Sequence, residues 1–202
     1  MDLWSKRLLI KSSPYKAGEL IFESSTAGSY TVDLKATGNY EVYVIGGGAG
    51  SGTKISDYKW YTGGGSGAGF IGVVKLTKGS YSIQVGAGGK IAKLADTTFA
   101  GGSSKISDAI EAYGGKSVTV GEAGTGGSKP TVNVPIISTT LNTAGKNGKQ
   151  GQYYLDSTYY VTVYCGASVY KGYGKGGQID SEVLNAGKAG YVKIVYMGGL
   201  NK

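Results

Sequence analysis

The chain has 202 residues, a formal net charge of +8, 38 glycines, 17 tyrosines, three prolines, one cysteine and no histidine. A single cysteine excludes an intrachain disulfide framework, the missing histidine removes the commonest general base and metal ligand, and glycine far above the usual share of about 7% together with many aromatic residues points to ordered packing, not a disordered linker. The charge attracts polyanions, but twenty lysines and the lone Arg7 are scattered without a basic run, which argues against nucleic acid because arginine is favoured for reading phosphates and bases.

Residues 1–16 read as an N-terminal arm or a first strand. Leu8-Leu9-Ile10 is too short for a signal-peptide core or a membrane span, so the chain is expected to be made in a host cytoplasm without membrane insertion. Trp4, Leu8, Leu9 and Ile10, interleaved with Lys6, Arg7 and Lys11, are candidates for an assembly arm docking on another subunit; a first strand of the domain is the plainer alternative.

From 17 to 202 the text reads as one glycine-rich domain. Leu20-Ile21-Phe22 and Tyr30 to Leu34 are short strands. Tyr40 to Ile45 alternates as a packed strand does and runs straight into Gly46-Gly47-Gly48-Ala49-Gly50. Thr53 to Thr62 reads as a loop carrying Tyr58, Trp60 and Tyr61. Gly63 to Gly69 leads into Phe70 to Leu76, which is expected to form a hairpin with Tyr81 to Val85 through Thr77-Lys78-Gly79-Ser80. Short strand-like pieces alternate with glycine from Ala100 to Gly127, a less glycine-rich insert runs from Pro130, and Tyr159 to Tyr164 and Tyr191 to Tyr196 are the late strands. No sustained helical period occurs.

Two glycine motifs mimic nucleotide sites. Val44-Ile45-Gly46-Gly47-Gly48-Ala49-Gly50 resembles a dinucleotide-binding turn, but no helix N-terminus follows to hold a pyrophosphate. Gly115-Lys116-Ser117 resembles the end of a phosphate loop, yet Ile110 stands where its first glycine should be. No cofactor and no metal is expected. Gly121, Gly124 and Gly127, like Gly145, Gly148 and Gly151, are spaced by three, the period of an extended polyproline-type helix. Packed glycine helices and ordinary glycine turns both fit that spacing.

The succession Tyr-Glu-Val-Tyr-Val-Ile-Gly-Gly-Gly-Ala-Gly at 40–50, Gly-Gly-Gly-Ser-Gly-Ala-Gly-Phe at 63–70, Tyr-Ser-Ile-Gln-Val-Gly-Ala-Gly-Gly at 81–89, Gly-Gly-Ser-Ser at 101–104 and Gly-Lys-Ala-Gly-Tyr-Val-Lys-Ile-Val-Tyr at 187–196 resembles the glycine-rich domains of bacteriophage tail-fibre and virion surface proteins. That resemblance implies an all-β fold, a jelly-roll-like β-sandwich whose glycine-rich excursions are packed polyglycine II helices, with host-receptor contact through loops at the end of the bundle. It also implies a virion-surface location and other virion proteins as partners.

Enzyme chemistry finds no foothold: Cys165 has no imidazole to activate it, and the carboxylates show no paired spacing. Contact with a receptor or partner has better material. Tyrosine offers a rigid apolar face with a polar handle, and Tyr58, Trp60, Tyr61, Tyr153, Tyr154, Tyr170 and Tyr173 are the candidate contact residues. The expected function is a non-enzymatic tail-fibre or head-fibre component that binds a host envelope polysaccharide or outer protein. The alternative is a purely structural virion fibre, decoration or assembly subunit that binds neighbouring subunits rather than a host receptor, with a homo-oligomer such as a trimer among its expected partners.

Overall fold

The structure, a computed structural model, describes residues 13–56, 58–154 and 162–199, the side chains of 153 and 154 excepted. In chain order its strands are β1 (Glu19–Ser24), β2 (Gly28–Leu34), β3 (Gly38–Ile45), β4 (Gly52–Ile55), β5 (Tyr58–Thr62), β6 (Gly69–Leu76), β7 (Gly79–Val85), β8 (Ala92–Lys93), β9 (Ser104–Ile106), β10 (Ile110–Ala112), β11 (Thr131–Val132), β12 (Ile136–Thr143), β13 (Gln150–Tyr154), β14 (Ile179–Asp180), β15 (Val183–Leu184) and β16 (Tyr191–Gly198). The arm residues Trp4, Leu8, Leu9 and Ile10 lie outside the described residues.

Side-chain alternation decides how the longer strands pack. In β3, Tyr40, Val42 and Val44 point inward and are fully buried, while Glu41 and Tyr43 point out. In β7, Ile83 and Val85 are buried and Ser82 and Gln84 face water. The apolar faces meet between two five-stranded antiparallel sheets, ordered β1-β16-β3-β6-β12 and β11-β10-β9-β7-β2. Their shared core includes Leu34, Tyr40, Val42, Phe70, Ile83, Ile106 and Ile194. The all-β sandwich expected from the sequence is present.

The expected hairpin between Phe70–Leu76 and Tyr81–Val85 does not form. β6 pairs with β3 and β12, and β7 pairs with β2 and β9. Both strands bring an apolar face to the same core, so they oppose each other across it instead of joining edge to edge. The link at 77–78 passes from one sheet to the other.

From one end of this sandwich the glycine segments extend. The legs 46–51, 86–90, 113–118, 144–149 and 174–178 run outward, and 63–68, 99–103, 124–128, 164–167 and 185–190 run back. Their backbone hydrogen bonds repeat every three residues. In 46–51, Gly46 and Ala49 donate to Ala68 and Gly65, Gly47 and Gly50 to Gly102 and Phe99, and Gly48 and Ser51 to Lys188 and Asn185. The same segment accepts from Gly89, Gly115 and Gly177, so it is ringed by six others. Segment 63–68 is likewise ringed: Gly63 and Ser66 donate to Lys149 and Lys146, Gly64 and Gly67 to Gly177 and Gly174, and Ala68 to Tyr113, while Gly127, Gly166 and segment 46–51 donate to it.

This is a hexagonal bundle of extended glycine helices with the three-residue period of the polyproline type. Gly124, Gly127, Gly145 and Gly148 belong to it; Gly121 sits in a turn and Gly151 in β13. The insert from Pro130 supplies edge strand β12 and then rejoins the bundle at 144–149. Glycine is needed because neighbouring backbones touch: a Cβ on Gly48 would fall inside the Lys175 carbonyl, and one on Gly64 inside the Ala49 carbonyl.

Candidate functional site: the far end of the glycine bundle

Each outward leg must turn before it returns, and the turns gather at the end opposite the sandwich. The first is the β4–β5 hairpin, in register from Gly52–Thr62 to Ile55–Lys59. The presumed loop at 53–62 is therefore a hairpin, with β13 added along β5 and β8 along β4. The last is the β14–β15 hairpin, whose two turn residues Ser181 and Glu182 both adopt left-handed backbone, with φ of 45° and 67°. Two such residues are the geometry of a tight hairpin turn usually made by Asn-Gly.

Side chains tie these turns into one cap. Lys54 Nζ lies 2.6 Å from Asp96, and Lys59 Nζ lies 2.9 Å from Glu182. The Thr62 hydroxyl donates to the Glu122 carbonyl at 3.1 Å and accepts from the Gly121 N–H at 2.7 Å. The Tyr61 hydroxyl donates to Glu182 at 3.3 Å. Beneath them a small core holds Tyr61, Val163 and Ile179, with Leu184 against it. Burial pushes the Tyr61 phenol up, and the hydrogen bonds of Lys59 to Tyr61 and then to Glu182 hold its ammonium up as well. Cys165, half-buried on a bundle leg, also has its thiol pushed up by burial, which suppresses the reactive thiolate.

The aromatic residues picked out by sequence divide by strand parity. Tyr58 and Trp60 share one face of β5, half-buried, with rings 6.2 Å apart at 70°. Trp60 lies over Gly121, where φ is +98° and a side chain would meet the indole. Tyr61 points to the other face and is 1% exposed, so its ring is core and not contact surface. The backbones of Tyr153 and Tyr154 pair with Lys59 and Tyr58, and their side chains lie outside the description. Tyr170 and Tyr173 are elsewhere. They stack with Tyr191, at 6.0 and 4.3 Å, over the outer face of the sandwich beside Tyr43. Their burial against Ile45, Ile71 and Tyr191 makes them the cover of that sheet.

Five exposed apolar side chains of the cap were not among the residues picked out by sequence. Ile55, Ile91, Leu94, Phe99 and Val183 all stand at or beside the turns, with Leu94 61% and Val183 62% exposed. Leu94 also holds φ at 55°, a conformation that costs a non-glycine residue about 1–3 kcal/mol. The signal available in the sequence was large apolar residues interleaved with lysine, alanine and threonine between two glycine runs, as Ile91, Leu94 and Phe99 are in 90–100. The first and last described residues lie at the sandwich end, where Gly18 donates to Tyr196 at 2.7 Å, so neither crowds the cap.

Two comparisons with known proteins bear on this architecture. The sequence pattern of one family, described as a glycine-rich domain, matches residues 24–202. None of the curated proteins matches the chain.

Proposed function

The chain belongs to the glycine-rich domain family, and we propose that it is a non-enzymatic surface protein of a bacteriophage virion, of tail-fibre or head-fibre type, that attaches to its host through the cap of the glycine bundle. One observation carries this reading. The described parts of five turns from distant parts of the sequence are tied by strand pairing, hydrogen bonds and ion pairs into one cap that holds Ile55, Ile91, Leu94, Phe99 and Val183 out in solvent. Large apolar side chains exposed together at one end of a molecule support a contact surface there. The half-exposed Trp60 and Tyr58, with Lys54 and Asp96 beside them, add groups suited to a sugar ring or a protein loop.

The test is binding of labelled protein to intact cells that the parent particle infects, beside a Leu94→Ser, Phe99→Ser, Trp60→Ser variant. Saturable binding by the natural chain and its loss in the folded variant are expected. Failure of the natural chain to bind those cells overturns the attachment role.

A second reading, a structural subunit of the particle, is favoured by one observation. Leu20, Ile136, Ile137 and Met197 are exposed on strands of the sandwich, away from the cap. Burial of that surface against neighbouring subunits predicts self-association, abolished by Ile137→Asp, in sedimentation experiments.

A further inference from the structure

Charge sets the side of the bundle apart from both of its ends. The chain has 13 aspartates and glutamates, and none falls on a glycine segment. Lysines do, in two groups on opposite sides of the bundle. Lys116, Lys146 and Lys149 lie on segments 113–118 and 144–149, which both adjoin 124–128, and Lys129 follows the end of that segment. Lys90, Lys188 and Lys175 lie on a second adjoining set, 86–90, 185–190 and 174–178, where Gly187 donates to Gly89 at 2.9 Å and Lys188 donates to Lys175 at 2.8 Å.

That last bond places Lys175 and Lys188 on directly paired backbones, with no carboxylate on either segment. Like charges set side by side on paired strands repel. Here they also flank a groove of about 490 Å³ that runs between the two segments and is lined by Gln178 and Asn185 as well, with Asp180 at its cap end. The Asn185 amide donates to the Gln178 carbonyl at 3.0 Å, which fixes it at the groove wall. The size suits a small ligand or a short stretch of a polymer.

We propose that this groove binds an acidic oligosaccharide, with Lys175 and Lys188 taking its carboxylate or phosphate groups and Gln178 and Asn185 its hydroxyls. The lysines supply compact positive charges, and a bound anion offsets the repulsion between them. The Asn185 amide nitrogen is taken by the Gln178 and Val183 carbonyls, so its oxygen is the atom that accepts from a sugar hydroxyl, while the Gln178 amide supplies the donor. Nucleic acid fits less well, because the groove has no aromatic ring on which to stack a base and no arginine fork. The groove lies along the side of the bundle and reaches the cap only at Asp180, and it goes beyond the attachment reading: it would let the bundle lie along an anionic glycan whose end, or whose neighbouring protein, meets the cap.

The experiment titrates the full chain with tetragalacturonate by calorimetry at about 20 mM salt and again at about 150 mM, where screening weakens exposed charge pairs. Lys175→Gln/Lys188→Gln is compared with Lys129→Gln/Lys146→Gln, which loses the same charge on the opposite side. All four positions are at the surface, and unchanged thermal unfolding of both variants checks the fold. The groove predicts a loss of about tenfold or more in affinity for the first variant, equivalent to about 1.4 kcal/mol, and little change for the second. No binding by the natural chain, or equal losses in the two variants, overturns the proposal. Tighter binding of inorganic phosphate or of oligothymidylate than of tetragalacturonate overturns the assignment to a sugar. Because the cap is intact in both variants, failure here leaves cell binding through the cap unaffected, and failure of the cap leaves this titration unaffected.

Discussion

The sandwich and the glycine bundle are stabilised by opposite strategies. The sandwich fills its interior with side chains: Tyr40, Phe70, Ile83, Ile106 and Ile194 interdigitate between two sheets, and its stability is set by how much apolar surface they remove from water. The bundle has almost no side chains inside. Its inner legs contain only glycine, alanine and serine, Gly-Gly-Gly-Ala-Gly-Ser at 46–51 and Gly-Gly-Gly-Ser-Gly-Ala at 63–68, all buried, and it is held by hydrogen bonds running to six neighbours at once. Glycine gives up more backbone entropy than any other residue on ordering, and here a dense hydrogen-bond lattice and close backbone contact offset that cost. The sandwich should therefore be damaged by removing atoms, and the bundle by adding them.

The largest effect expected from that contrast is at Gly48. A valine there drives its Cβ into the Lys175 carbonyl, and the obstacle is backbone shared by two hydrogen-bonded legs, which cannot step aside as a side chain can. The cost should exceed the roughly 1–3 kcal/mol of ordinary overpacking, and no cooperative unfolding transition should remain by calorimetry. A Gly48→Val protein that melts like the natural chain would refute close packing of the bundle. Next comes Ile194→Ala, fully buried in the sandwich. It should cost about 2–5 kcal/mol, read from denaturant unfolding, while leaving the fold intact.

At the joint between the two regions the effect should be smaller. Ser104, fully buried, accepts from the Gly86 N–H at 3.0 Å and donates to the Ile45 carbonyl at 2.6 Å, linking the start of an outward leg to the end of β3. Ser104→Ala strands both backbone groups and should cost about 1–3 kcal/mol. The serine was visible in the sequence only as part of a Gly-Gly-Ser-Ser run, with nothing to separate it from Ser103.

That example shows where legibility stops. The strand at 40–45 could be read because alternation is local, whereas the glycine runs fitted packed helices and ordinary turns equally, and only the family resemblance pointed to the helices. Pairing could not be read. β6 and β7 are neighbours in sequence and opposed across the core in space, since the period of two says which face is apolar but not which sheet receives it. The same limit applied to the aromatic candidates. Tyr58, Trp60 and Tyr61 looked alike as a loop, and the hairpin register then sent Tyr61 inward and left the other two on the open face. The cap itself was legible only as a set of turns; that five of them meet follows from the bundle, which is a property of the whole chain.

Alkali should separate the regions further. Burial raises the phenols of Tyr40, Tyr191 and Tyr43, all on sandwich strands, whereas the inner bundle legs contain no titratable side chain. For an acid whose folded pKa is raised, the stabilising form is the protonated one, so its contribution is intact below the unfolded value of about 10 and is lost as pH climbs past it. Stability should be flat across neutral pH and fall above about pH 10, followed by tyrosine absorbance and denaturant midpoint together. Tyr40→Phe should soften that fall, since it removes the ionising group while giving up one hydrogen bond, to the Ala36 carbonyl at 2.6 Å.

The smallest effect belongs on the outside of the same bundle that Gly48→Val destroys. Outer legs meet neighbours on only part of their circumference, and every third residue or so faces water, as Ala87 and Lys90, or Asn185 and Lys188, do. Ala186 is exposed one residue before Gly187, whose Cβ would strike the Gly48 carbonyl. Ala186→Lys should therefore change stability by no more than about 0.5 kcal/mol, while Gly187→Ala, adding a single carbon one position along, should be severely destabilising. A pair of adjacent substitutions with outcomes that far apart is what a threefold helix packed on one side requires. Equal tolerance at 186 and 187 would mean that the segment is an ordinary loop, and the hexagonal arrangement would fall with it.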